Sequence, residues 1–182
     1  MRSLDRLGTR PASLPLVADD VVEFHAARLL LLLKLCGTAG RIDGLTKMAK
    51  LDFFVRYPEF FDMACQQTGT TSRVGDAVES AMVRHHYGPW DKRYYHVLAH
   101  LEARNLIAVT KEKNSFRIAL TDLGHDRSAR LAQLASFAPI ADRMREVKKA
   151  FGGKSGSSLK NMIYKIFDRE VGQRRLGEVI ES

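Results

Sequence analysis

The segment His85-His86-Tyr87-Gly88-Pro89-Trp90-Asp91, with the amphipathic helix and short two-strand hairpin that follow it, constrains this chain most. Gly88-Pro89 reads as a turn. Asp91 is a helix N-cap residue, since its carboxylate accepts the orphan amides of a first turn. Beyond it, Tyr94, Val97, Leu98 and Leu101 recur at helical spacing and define one buried stripe. Asn105 ends that helix. Residues 106–110 then read as a strand, 111–115 as a polar turn and 116–120 as the returning strand. A helix followed by a two-strand ribbon with a charged tip is the second half of a winged helix-turn-helix. The order of the elements carries this reading, because no single residue is diagnostic.

Upstream, Asp19-Asp20 caps a helix running to about Ala39, ended by Gly37 and Gly40. Leu29–Leu33 makes it apolar on nearly every side, so it must be central or covered by another chain. The run is far short of the ~20 residues that span a bilayer, and Arg28 and Lys34 bracket it. No membrane partner is expected. Arg41-Ile42-Asp43 is a short third strand. Residues 45–55 form a helix with Leu45, Met48, Leu51 and Val55 on one face and Lys47 and Lys50 on or near the other. Tyr57-Pro58 breaks it, and Glu59–Cys65 adds a turn or two. Residues 66–76 are a polar loop, and Val78–Tyr87 fits either a strand or a short helix. Thr121 caps a helix to about Ala135, Phe137-Ala138-Pro139 interrupts, and Ile140–Phe151 is helical again. Residues 152–158 read as a flexible loop before a last amphipathic helix over Leu159–Phe167.

The expected fold is therefore mainly α with a small β-wing: a winged helix-turn-helix with a C-terminal helical extension. Its divisions are a flexible arm over 1–18, a winged-helix domain over 19–136 and the extension over 137–182.

Of 29 Lys and Arg against 21 Asp and Glu, residues 1–78 hold ten against nine. Residues 79–141 hold nine against six, and 142–182 ten against six, so the excess sits in the winged half and the tail. That suits nucleic acid or an acidic protein surface. Candidate DNA-contacting residues are Lys92, Arg93, His96 and His100 on the helix, with Lys111, Lys113 and Arg117 on the hairpin. Asp91 stands where base contacts usually lie, and no Asn/Gln/Arg cluster is available for base edges, so any contact is shape-led. Trp90, Tyr94 and Tyr95, with Leu159, Met162 and Ile163, are the candidate partner interface, although aromatics so placed more often lock a turn to the core.

Catalytic chemistry is missing. His96 and His100 share a helix face, but Val97 stands where a metalloprotease has Glu and no third ligand is evident. Gly153-Lys154-Ser155 matches half of a phosphate loop, with Lys148 where the leading glycine belongs. No cofactor, metal or enzymatic activity is expected. Cys36 and Cys65 read as reduced packing cysteines of a cytoplasmic protein, and no secretory signal is discernible.

Four stretches carry a resemblance: Leu45-Thr46-Lys47 through Phe53, His86-Tyr87-Gly88-Pro89, Leu101 to Ile107, and Leu120-Thr121-Asp122-Leu123-Gly124. Over about residues 25–130 the chain resembles a broad group of prokaryotic winged-helix proteins, of which antitoxin-like Panacea domains share a looser version. Residues 154–164 (Lys-Ser-Gly-Ser-Ser-Leu-Lys-Asn-Met-Ile-Tyr) look most like the small middle component of three-component systems built on an SMC-like ABC ATPase, such as Lamassu-type antiphage defence. The resemblance implies a non-catalytic accessory subunit, seated on the ATPase near its heads and helping to restrain an effector nuclease until foreign DNA is sensed. Its partners would be the ATPase and effector subunits, with double-stranded DNA as a further candidate. The alternative is a stand-alone winged-helix DNA-binding regulator or antitoxin.

Overall fold

The computed structural model describes residues 21–69, 82–85, 88–112, 115–167 and 179–180. The N-terminal arm, Asp19-Asp20, residues 70–81, His86-Tyr87, Lys113-Asn114 and most of the segment 168–182 lie outside the described residues.

Helix α1 (Val22–Cys36) is the centre of the molecule. Leu29 to Leu33 are all buried, each side of the helix meeting a different neighbour. Strand β1 (Arg41–Asp43) follows, with Ile42 inward between two exposed residues. Helix α2 (Leu45–Arg56) and helix α3 (Pro58–Thr68) come next, Pro58 sitting at the first turn of α3 where its missing amide costs nothing. Strands β2 (Met82–His85) and β3 (Gly88–Trp90) pair antiparallel, so the described part of the undecided segment Val78–Tyr87 is extended. Gly88-Pro89 lies in the strand, not in a turn as expected. His85 and Gly88 pair directly.

Helix α4 spans Tyr94–Ala103 and stops where Asn105 takes a left-handed φ of 55°. Strands β4 (Ile107–Glu112) and β5 (Ser115–Leu120) pair in antiparallel register from Ile107↔Leu120 to Glu112↔Ser115. Strand β1 adds to β5 through Ile42↔Ile118, giving the order β1-β5-β4. Thr121 caps helix α5 (Asp122–Leu131), accepting from the Gly124 amide at 3.0 Å and donating its hydroxyl to the Asn105 carbonyl at 2.6 Å. Gly124 is required there: a Cβ would lie 1.9 Å from the Leu106 carbonyl oxygen.

After a single 3-10 turn at Ala135–Phe137 come helices α6 (Ala138–Phe151) and α7 (Gly156–Ile166). The expected loop over 152–158 is shorter than the sequence suggests. Ser155 caps α7 by accepting from Ser158 N, and Gly156 starts the helix against Lys47, where a Cβ would come 2.9 Å from the backbone nitrogen. Strand β6 (Val179–Ile180) joins β2 to make a second small sheet, β3-β2-β6, that the sequence did not suggest.

Helices α6 and α7 are not an appendage. They pack on α1 and α2, and Ile140, Met144, Val147, Phe151, Leu159, Ile163 and Phe167 belong to the same hydrophobic cluster as the leucines of α1. Ring contacts tie the halves together: Phe54 meets Phe151 at 4.9 Å, and Phe60 meets Phe167 edge-on at 4.7 Å. The architecture is mainly helical with small antiparallel sheets.

Candidate functional site

The approach to α4 is held by buried charge. Helix α2 is apolar on so many sides that its polar residues also point inward. Lys50, expected on or near the face opposite the apolar one, is fully buried, and its Nζ donates to the Pro89 carbonyl at 2.8 Å. Burial, and secondarily the charge of Lys160, pulls its ammonium from an ordinary 10.5 down to about 7. One residue beyond Trp90, the Asp91 carboxylate receives Arg56 Nη1 at 2.8 Å, Arg93 Nε at 2.9 Å, Arg93 Nη2 at 2.8 Å and the Arg93 amide at 2.9 Å. Burial alone would raise this carboxyl. The hydrogen bonds from Arg93 and the charges of Arg56 and Arg93 outweigh it and hold the group well below the usual carboxylate range.

Deeper in, Asp52 accepts from Arg28 Nε at 3.0 Å and from the Tyr94 hydroxyl at 2.7 Å, with Arg56 Nη1 3.9 Å away. Burial, then the neighbouring Asp52, pushes the Tyr94 phenol well above its ordinary value, so it remains a donor. His25 lies between two guanidiniums: Arg28 Nη1 is 2.9 Å from its Nδ1 and Arg93 Nη1 is 3.0 Å from its Nε2. A neutral imidazole offers one acceptor nitrogen, so only one of these contacts is a hydrogen bond. Three arginines and two aspartates thus join α1, α2 and the start of α4. Asp91 receives four donors and Asp52 three, so both carboxylates are spent on holding the helices together. This arrangement fixes α4 in place.

The surface above differs from the expected basic face. Lys92, His96 and Lys111 are exposed, and Lys113 lies outside the described residues. Arg93 turns back to Asp91 and is not a free cation. Arg117 grips Glu112 through both nitrogens, Nη1 at 2.6 Å and Nη2 at 2.8 Å, with Nε 3.5 Å from Asp43. The bidentate geometry of guanidinium with carboxylate makes that pairing specific, so Arg117 is already engaged on the surface. His100 is half-buried, and its Nδ1 accepts from Arg104 at 3.1 Å.

The proposed partner interface is also redrawn. Trp90, Tyr94, Leu159 and Ile163 are buried, because β3 and α7 lie against α2 and these side chains fill the gaps between them. They are core residues and present no face to a partner. Met162 is partly buried. Tyr95 alone of that set is open, at 62% exposure, its ring tilted on Trp90 with centroids 5.9 Å apart.

Lys50, Asp52, Arg28 and Arg56 were missed by the sequence reading. The signal for them was available: Leu51, Phe53, Phe54 and Val55 point in too many directions for α2 to keep a polar side, so its charges had to be internal. Among the described residues no three His, Cys, Asp or Glu side chains converge, and nothing supplies His96 and His100 with a third ligand. Gly153-Lys154-Ser155 is the turn between α6 and α7, with Lys154 N donating to the Phe151 carbonyl. No described helix is long and apolar enough to cross a membrane. Comparison with known protein families, with characterised proteins and with solved structures finds no match to this chain.

Proposed function

We propose that the chain is a non-catalytic accessory subunit of an SMC-like ABC ATPase antiphage defence complex, and that its helix-and-wing half works mainly as a protein-docking module between ATPase and effector. The order α1-β1-α2-α4-β4-β5 with sheet order β1-β5-β4 supports the winged-helix reading, with α4 in the recognition-helix place and β4-β5 as the wing. Residues 57–93, carrying α3 and the β2-β3 hairpin, are then an insertion ahead of the recognition helix.

The observation that carries the docking role is the pairing of two of the helix and wing cations with the chain's own carboxylates. Arg93 is bound by Asp91 and Arg117 by Glu112 and Asp43, so two of the cations best placed for phosphate already hold carboxylates. Beside the exposed Lys92, His96 and Lys111 stands an exposed tyrosine backed by a buried tryptophan, residue types enriched at protein hot spots. The apolar surplus of α1 does not add to this argument, since the chain covers that helix itself.

DNA binding stays as a second reading, because Lys92, His96 and Lys111 are exposed without an anionic partner among the described residues. Two sets of variants separate the readings, scored for co-purification with the ATPase of the neighbouring gene and for duplex-DNA anisotropy. The docking role expects Tyr95→Ala to weaken co-purification, and Lys92→Ala with Lys111→Ala to leave it unchanged. If only the lysine variants matter, and only for DNA, the docking role fails.

A further inference from the structure

Away from the α4 face, a cleft of about 470 Å³ opens between the end of α4 and the outer side of α5, lined by Arg104, Leu106, Arg127, Arg130, Leu131 and Leu134. Its floor is apolar. Leu106 and Leu131 are half-buried, and Leu134 is an exposed leucine at 49%. Leu123, also exposed, precedes Arg127 by four residues and so extends the same side of α5 by one turn.

The rim is cationic. Arg127 has no carboxylate partner among the described residues. Arg104 donates to His100, and Arg130 pairs with Asp126 at 3.1 Å on an exposed turn. An exposed pair of that kind is weak and exchanges readily for a better carboxylate. Three arginines against one aspartate therefore surround three leucines. The floor is also rigid, because the Thr121 cap and the close approach of Gly124 to the Leu106 carbonyl pin α5 to the start of β4. A preformed site loses little entropy on binding.

We propose that this cleft docks an acidic amphipathic peptide segment of a partner protein: one apolar side chain seated among Leu106, Leu131 and Leu134, with flanking Asp or Glu side chains meeting Arg104 and Arg127. Charge complementarity selects the acid, and the leucines select the apolar anchor. A nucleic-acid backbone would use the arginines and leave the leucines without a role. The inference goes beyond the proposed function and is independent of it, since it concerns a different face and is read on the isolated chain.

The test is selection of a phage-displayed random peptide library on the full chain, followed by anisotropy with the selected peptide labelled. Arg104→Glu with Arg127→Glu, and separately Leu134→Asp, are compared at unchanged thermal midpoint, which is expected because all three side chains are exposed. The cleft predicts enrichment of Leu, Phe or Met flanked by Asp or Glu, and a loss of affinity of about tenfold or more in both variants. Selection without that pattern, or a selected peptide indifferent to both variants, overturns it. So does self-association of the wild type that Leu134→Asp abolishes, or a duplex-DNA affinity that falls with the charge reversals alone.

Discussion

Lys50 offers the sharpest quantitative prediction. Its ammonium is buried against the Pro89 carbonyl and titrates near about 7 in the folded chain, against an ordinary 10.5. Between those values the unfolded chain holds a proton that the folded chain has released, so stability rises with pH across the window. The slope approaches about 1.4 kcal/mol per pH unit, and integration from about pH 6 to about pH 8.5 gives a gain of about 2 kcal/mol. For a chain of this size that is about 4–8 °C in thermal midpoint. A neutral amine still donates to the Pro89 carbonyl, so the contact that pins β3 to α2 survives deprotonation. The assay is urea unfolding of wild type and Lys50→Met across that pH range. Histidines and other groups titrate in both proteins and cancel in the difference. The wild type should gain about 2 kcal/mol on the variant from the acid to the alkaline end. Lys160→Gln, which removes the second cause of the shift, should move the window to higher pH. Parallel pH profiles for wild type and Lys50→Met would refute the buried ammonium.

Other consequences follow from the same contacts. Asp91→Ala leaves the buried Arg56 guanidinium short of a carboxylate and should cost about 3 kcal/mol in urea unfolding, the lower end for such a loss because Asp52 stays 3.9 Å from Arg56. Since the Asp91 carboxyl is held down, its contribution is complete above the ordinary carboxylate range and fades as pH falls below it, so the wild type should lose its advantage over Asp91→Ala in acid. Gly124→Ala must displace backbone and should cost about 1–3 kcal/mol; a change under about 0.5 kcal/mol would contradict the close approach to Leu106. Burial, only partly offset by Lys148, pushes the Cys36 thiol up to about 12, and it donates to the Met144 carbonyl at 3.1 Å. It should resist Ellman's reagent until the protein is unfolded, and rapid reaction of the native chain at neutral pH would contradict that packing.

The parts of the fold legible in the sequence are those whose signals are local. Ile42 between two charged residues marks β1, the two runs around a polar tip mark β4 and β5, and Thr121 three residues before Gly124 marks the start of α5. The misreadings arise where distant contacts override local chemistry. The helical period puts Lys50 on or near the face opposite the apolar stripe, yet it is buried and donates a hydrogen bond to the Pro89 carbonyl, 39 residues away. Gly88-Pro89 carries turn residues but pairs with β2 as a strand. Gly156 reads as loop, whereas it opens α7 because only glycine fits against Lys47.

For the candidate site, residue type identified cations but not their partners. Arg93 and Arg117 look alike with Lys92 and Lys111 in sequence, and only the fold reveals that Asp91, Glu112 and Asp43 already hold the arginines. Aromatic clustering likewise nominated Trp90, Tyr94 and Tyr95 together. The structure divides them, with Tyr94 bonded to buried Asp52 and Tyr95 left on the surface. The resemblance motifs acquire physical roles in the same way. Lys47 donates to the Gly152 carbonyl at the end of α6, and Lys50 to Pro89, so the Lys-x-x-Lys spacing ties α2 to both the C-terminal helices and the approach to α4.

The central claim, that this chain works as a docked subunit, is tested most directly by co-expressing it with its genomic neighbours and measuring the mass of the eluting species by size-exclusion chromatography at low and high salt. The account predicts co-elution with an SMC-like ATPase that persists at high salt, because the contacts it invokes are aromatic and apolar more than ionic. Elution alone, accompanied by DNA binding that collapses as salt rises, would contradict it and make the remaining exposed cations of α4 and the wing the working surface.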